Sequence, residues 1–172
     1  IVVQQDIKKA IYYYLQAGKK VPKAYVCLGD IFYNGEYVEK SYKKAKEYYD
    51  MAAKQNDSDA LIKLGDLHYI GFGADFNLKA AKYYYELSAK LNNPEAFFKL
   101  GELYFNGFDF KIDYQKAIQY YQKAASLNNS DAFFKLGKIY YEGNILEKDY
   151  EKAVNYLNLA IVNHNSEAFF LL

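Results

Sequence analysis

"EAFFKLGELYFNG" (95–107) returns almost unchanged 36 residues later as "DAFFKLGKIYYEG" (131–143). The interval is not confined to that pair. Ala24, Ala60, Ala96, Ala132 and Ala168 stand 36 apart. Gly29, Gly65, Gly101 and Gly137 keep the same step, as do Gly35, Gly71, Gly107 and Gly143. A fixed period of this length marks stacked supersecondary units, none of which can bury its apolar face alone. Four complete units run 24–59, 60–95, 96–131 and 132–167. Residues 6–23 read as the second half of an earlier unit, with Ala10 and Ala17 matching Ala45 and Ala52 after a one-residue deletion. Residues 168–172 open a further unit.

Each unit reads as two helices. The first extends from the alanine to just before the second glycine, as in "AFFKLGELYFN" (96–106), and a loop such as "GFDFKI" (107–112) follows. Ser41, Asn77, Asp113 and Asp149 then stand where an N-cap belongs, because their side-chain oxygens can accept from the free N–H groups of a first turn. The second helix carries Tyr114, Ala117, Tyr120, Tyr121, Ala124 and Ala125 on one stripe. It ends at Asn56, Asn92 and Asn128, residues that tolerate a left-handed C-cap, with His164 in the fourth copy. No stretch alternates with period two, so the expectation is an all-α chain.

Composition narrows the function. Of 172 residues, 52% are hydrophobic and 25% charged, which is globular rather than disordered. A formal net charge of +1 supplies no steering toward nucleic acid or an anionic membrane. All 22 basic residues are lysine, and the planar arginine fork favoured in phosphate and base recognition is absent. No apolar run approaches the roughly 20 residues of a membrane span. Cys27 is the only cysteine, so no internal disulfide forms, which points to a reducing compartment, the cytoplasm or a host cytosol. His68 falls on the buried stripe and His164 at a helix end, so neither forms a metal site with Cys27. No cofactor motif, and no paired nucleophile and base, is visible; an enzyme is not expected.

The segment "LGELYFNGFDFKIDYQKAIQYYQKAASLNNSDA" (100–132), with "LGKIYYEG", "DYEKA", "LGDLHYIGFG" and "NLKAA", resembles the Sel1-like repeat, a relative of the tetratricopeptide repeat. That family is marked by LG-x-x-Y-x-x-G, a D-x-x-K-A helix start, an aromatic pair and AA. The match covers nearly the whole chain. It departs where the glycine after AA is Asn or His, where the family tyrosine is Phe32 and His68, and where the cysteine pairs of some secreted members are missing. The resemblance implies a right-handed α/α superhelix of antiparallel helix pairs, a solenoid, with a concave face that binds protein partners.

Placing the first helix at about 100° per residue sorts its side chains. With the repeat alanine as position 1, positions 1, 5, 8, 9 and 12 (Ala96, Leu100, Leu103, Tyr104, Gly107) form a core stripe. Phe97 and Gly101 flank it, the glycine allowing close approach. Positions 3, 7 and 10 lie opposite, on the face that the resemblance makes concave. Position 3 holds Val26, Ile62, Phe98 and Phe134, and position 10 holds Tyr33, Tyr69, Phe105 and Tyr141. Position 7 holds Asp30, Asp66, Glu102 and Lys138, its carboxylates expected as a solvated row, and Lys63, Lys99 and Lys135 at position 4 edge the face. Two readings stand. In one, these residues form an aromatic groove for a protein or peptide partner. In the other, the position 3 rings stack on their counterparts in the next unit. The tyrosine pairs of the second helices, such as Tyr120 and Tyr121, are assigned to the core.

The leading expectation is therefore a non-catalytic interaction scaffold. A structural or regulatory spacer in a larger protein is one alternative, and a secreted hydrolase or cell-wall-binding role, proposed for some relatives, is another. The chain starts at Ile1 and ends in "AFFLL" (168–172), so it is read as a fragment or processed form, with more repeats downstream or end-to-end self-association expected.

Overall fold

The computed structural model describes residues 2–35, 37–107 and 111–171, with side chains from Asp6 onward. Residues 108–110 of the expected third loop and Leu172 of the expected further unit lie outside the described residues. The described residues form α1 (Val2–Gly18), α2 (Pro22–Asn34), α3 (Tyr42–Ala53), α4 (Ser58–Ile70), α5 (Leu78–Lys90), α6 (Pro94–Asn106), α7 (Tyr114–Ser126), α8 (Ser130–Glu142) and α9 (Tyr150–Val162). A single 3-10 turn follows at Glu167–Phe170, and no strand occurs among the described residues.

The helices fall into two compact units, Ile1–Leu91 and Asn92–Leu172. In the first, α2 pairs with α3 and α4 with α5, while α1 packs on α2 and α3 on α4. In the second, α6 pairs with α7 and α8 with α9, α7 packs on α8, and the 3-10 turn rests on α9. Each pair is antiparallel because a short loop joins its members.

The second helices start as their caps dictate. Ser41, Asn77, Asp113 and Asp149 accept from the backbone N–H of Lys44, Ala80, Lys116 and Lys152. They stop where Asn56, Asn92, Asn128 and His164 take positive φ. The first helices begin two residues before the repeat alanine, earlier than expected. Asp57, Asn93 and Asn129 cap them, accepting from Ala60, Glu95 and Ala132 N–H, and Pro22 and Pro94 occupy first-turn positions where no donor is lost. Within the second unit the caps also tie neighbouring repeats together. Asn129 Nδ2 donates to Glu95 Oε2 at 3.2 Å, and Asn165 Nδ2 to Asp131 Oδ1 at 2.7 Å.

An outer ring layer holds each helix pair, and the first three pairs add an inner one. The outer tyrosine of the second helix lies parallel to the ring at position 9: Tyr48 on Phe32, Tyr84 on His68, Tyr120 on Tyr104 and Tyr156 on Tyr140, with centroids 5.5 to 5.9 Å apart. His68 is thus half-buried, with Nδ1 3.1 Å from the Asp75 carbonyl. The inner tyrosines Tyr49, Tyr85 and Tyr121 are fully buried. Each inner ring lies against a first-helix glycine. A Cβ on Gly101 would sit 2.5 Å from the Tyr121 ring and 3.3 Å from the Ala117 carbonyl oxygen.

That contact leaves no room for a methyl group. Gly101→Ala should destabilise the fold by about 1–3 kcal/mol, the usual cost of overpacking. The exposed Lys79→Ala should stay within about 0.5 kcal/mol of the parent, and urea unfolding measures both.

Candidate partner-binding face

The face is built from positions 3, 7 and 10 of the first helices, and each unit presents its own part. At position 3 the side chains divide by length. Val26 and Ile62 are 2% and 6% exposed, so Ile62 packs instead of offering contact area, a correction to its expected place on the binding surface. A short branched side chain ends within the packed layer, whereas a phenyl ring reaches past it. Phe98 and Phe134 accordingly stay half-exposed. At position 10, Tyr33, Tyr69 and Phe105 are half-buried and Tyr141 is 44% exposed. Three of these rings are held edge-on by the first residue of the following helix: Tyr33 by Tyr42, Phe105 by Tyr114 and Tyr141 by Tyr150, at 5.2, 5.3 and 5.8 Å.

The position 7 carboxylates are not the expected solvated row. Each anchors a buried phenol. Tyr49 donates to Asp30 at 2.7 Å, Tyr85 to Asp66 at 2.7 Å and Tyr121 to Glu102 at 2.5 Å. A lysine from the next repeat closes the link on its outer side. Lys63 lies 3.2 Å from Asp30, and Lys135 lies 3.1 Å from Glu102 Oε1. Lys99 pairs with Glu95 at 3.7 Å on its own helix. The fourth repeat abandons the link at all of its positions: Lys138 replaces the carboxylate, Leu157 the tyrosine and Leu171 the next lysine. Sequence reasoning missed this triad, although the joint change of 138 and 157 is its visible trace.

Beside Phe98 and Phe134 lies a recess of about 370 Å³ bounded also by Asp131, Lys135, Lys138, Asn165 and Glu167. Lys138 is exposed and pairs only loosely with Glu142, at 3.6 Å. Its rim carries two ammonium groups and two carboxylates, and Lys135 is already paired with Glu102. Among the described residues no group of His, Cys, Asp and Glu could hold a metal ion, and no helix is long and apolar enough to cross a membrane. Cys27 is half-buried.

Burial, and next the bond to its carboxylate, pushes the phenols of Tyr49 and Tyr121 well above the ordinary tyrosine value. Above about pH 10 the unfolded chain therefore releases protons that the folded chain keeps, and stability present below that pH falls as pH rises. Urea unfolding should show this fall in the parent and a shallower one in Tyr49→Phe/Tyr121→Phe. At neutral pH Tyr121→Phe should cost about 1.5 kcal/mol, the low end for a hydrogen bond to a charged group, because Glu102 keeps Lys135.

The repeat frame matches known proteins. The family model described as Sel1 repeat matches residues 2–20, 22–57, 58–93, 94–129 and 130–161. The fold superposes on a Sel1 repeat protein from Oxalobacter formigenes with a TM-score of 0.80 and 30% identity, over 96% of this chain and 70% of that one. It matches the Helicobacter pylori cysteine rich protein B with a TM-score of 0.61 and 30% identity, over 80% of this chain and 99% of that one. The protective antigen c5321 of uropathogenic Escherichia coli shares the fold at a TM-score of 0.80 and 24% identity, and the chain spans 35% of its length. A search of curated proteins finds no match. With its period, its caps and its ring layers all in the Sel1 register, the chain belongs to the Sel1 repeat family.

Proposed function

We propose that this chain binds a protein or peptide partner through the first-helix face. Sel1 repeat proteins are generally non-catalytic protein–protein interaction scaffolds, and that is the frame for the proposal. One observation carries it further: the recess beside Phe98 and Phe134, rimmed by Lys135 and Lys138. The fourth repeat gives up the tyrosine–carboxylate link, and Phe98 and Phe134 stay half-exposed beside the exposed Lys138 and the Glu102-paired Lys135. The fitting ligand is a segment with an apolar anchor next to an acidic residue. A well-buried anchor contributes about 1.5–3 kcal/mol before the cost of ordering.

Site-specific photo-crosslinking tests the face. A benzophenone side chain placed at 134 or at 141 should capture a discrete partner from the native cell extract. The same group at Tyr83, exposed on α5 at 58%, should not. Phe98→Ala/Phe134→Ala should weaken the captured complex roughly tenfold or more while leaving the helical circular dichroism intact. Capture from 83 alone, or affinity unchanged by the double substitution, would exclude this face.

A further inference from the structure

The two units offer an internal comparison at the loop edge. In the first unit the loop after α4 runs from Gly71 to Asn77, and in the second the loop after α8 runs from Gly143 to Asp149. Both start from a left-handed glycine, at φ +81° and +70°. Both reach their N-cap after the same number of residues. Phe72 and Asn144 are therefore equivalent positions, as are Gly73 and Ile145.

In the first unit this site is filled from within. The Phe72 ring stacks on Tyr42, with centroids 4.8 Å apart and planes 23° from parallel. Gly73 allows it: a Cβ there would lie 2.6 Å from the Tyr42 backbone, at φ +70°. In the second unit Tyr114 is the counterpart of Tyr42 and is oriented in the same way. Its contact to Phe105 is 5.3 Å at 65°, against 5.2 Å at 66° for Tyr42 with Tyr33. Yet the residue in the Phe72 place is Asn144, and Ile145 has a Cβ that forbids the close approach made by Gly73. The outcome is an open pocket of about 740 Å³. Tyr114 stands 41% exposed at its side, Ile118 is buried at its base, and Ile145 and Leu146 form a wall.

The mouth carries one cation and one carboxylate. Lys111 is exposed there and makes no ion pair among the described residues. Asp113 also faces the mouth, but its carboxylate accepts from Lys116 N–H as the cap of α7 and lies on that helix's positive end. The pocket shares no lining residue with the recess beside Phe98.

We propose that this pocket receives an aromatic side chain of a protein partner, stacked on Tyr114 as Phe72 is stacked on Tyr42, with a neighbouring acidic residue of that partner paired to Lys111. The internal pair sets the occupant's chemistry: a flat ring at parallel stacking distance, not an aliphatic chain. The pocket volume accommodates the ring together with its flanking backbone. A surface closed within one unit is thus left for another molecule in the other.

The test uses the full chain with acetyl-Phe-Asp-amide as probe and acetyl-Ala-Asp-amide as control, read by methyl NMR at Ile118, Ile145 and Leu146. The phenylalanine probe should give saturable shifts at these methyls, and the alanine control should bind at least tenfold more weakly. Asn144→Phe/Ile145→Gly supplies both the missing ring and the space that Gly73 gives Phe72; it should abolish probe binding, read at Ile118 and Leu146. Tyr114→Ala removes the stacking partner on an exposed surface and should abolish binding with the fold kept, while Lys111→Glu should weaken it on the order of threefold. Unmoved methyls, equal binding of the two peptides, or full binding by Asn144→Phe/Ile145→Gly would each overturn the proposal. So would shifts at these methyls that depend on protein concentration without probe, which would make the occupant a second copy of this chain.

Discussion

A buried tyrosine hydroxyl donating to a half-buried carboxylate is the interaction on which the helix pairs depend. A phenol fully removed from water must find an acceptor, or the desolvation of its hydroxyl goes uncompensated. Asp30, Asp66 and Glu102 supply it across the pair. The bond fixes where the ring lies, and the ring in turn leaves space only for glycine at 101 beneath it. In these three pairs the hydrogen bond holds the ring against the glycine, and the close contact of the two helices there requires that glycine. The lysine drawn in from the next repeat at Asp30 and Glu102 extends the constraint along the stack inside each unit. That outer pair is partly solvated and adds little energy by itself. Its contribution is to orient the carboxylate so that the phenol is always met.

The fourth repeat shows that the link is a coordinated set rather than separate preferences. Keeping Tyr at 157 opposite Lys138 would have left a buried hydroxyl facing a cation without an acceptor. Leu157 removes the donor, and Gly137 remains because the leucine still crowds it, with a Cβ there only 2.8 Å from Leu157 Cγ. Leu157 then packs in the tyrosine's place, and Lys138 is exposed at the surface. Interior and surface change together at this point: position 138 leaves the buried link and is exposed on the face.

Much of this was legible in the sequence, and the parts that were not share a cause. The caps at Ser41, Asn77, Asp113 and Asp149, and the left-handed Asn56, Asn92 and Asn128, were readable because each acts on its own few residues of backbone. The core stripe was readable because helical periodicity needs only one helix. The carboxylates were read as solvated because a single helix places them opposite the core. Their acceptor role appears only once the partner helix brings a phenol from 19 residues away. Ile62 failed in the same way: its direction was right, but whether a side chain clears the packed layer depends on its length against its neighbours. The first-helix starts were placed late because the alanine was taken as the boundary, although Asp57, Asn93 and Asn129 stood three residues before it as caps.

The loops obey a different constraint from the helices, and this is why the two units can differ at the surface while each keeps the same repeat scaffold. Within a helix pair, each change must be answered across the interface, as 138 and 157 illustrate. A loop of fixed length between a left-handed glycine and an N-cap has its ends set by the scaffold and its middle free. Phe72 with Gly73 folds that middle down onto Tyr42, and Asn144 with Ile145 holds it away from Tyr114. Neither choice disturbs the ring layers beneath, since Tyr48 on Phe32 and Tyr120 on Tyr104 keep centroid spacings of 5.5 and 5.6 Å. Differences in binding chemistry between repeats are therefore to be sought first at loop positions two and three after the capping glycine, where substitution alters the surface without a compensating change in the core.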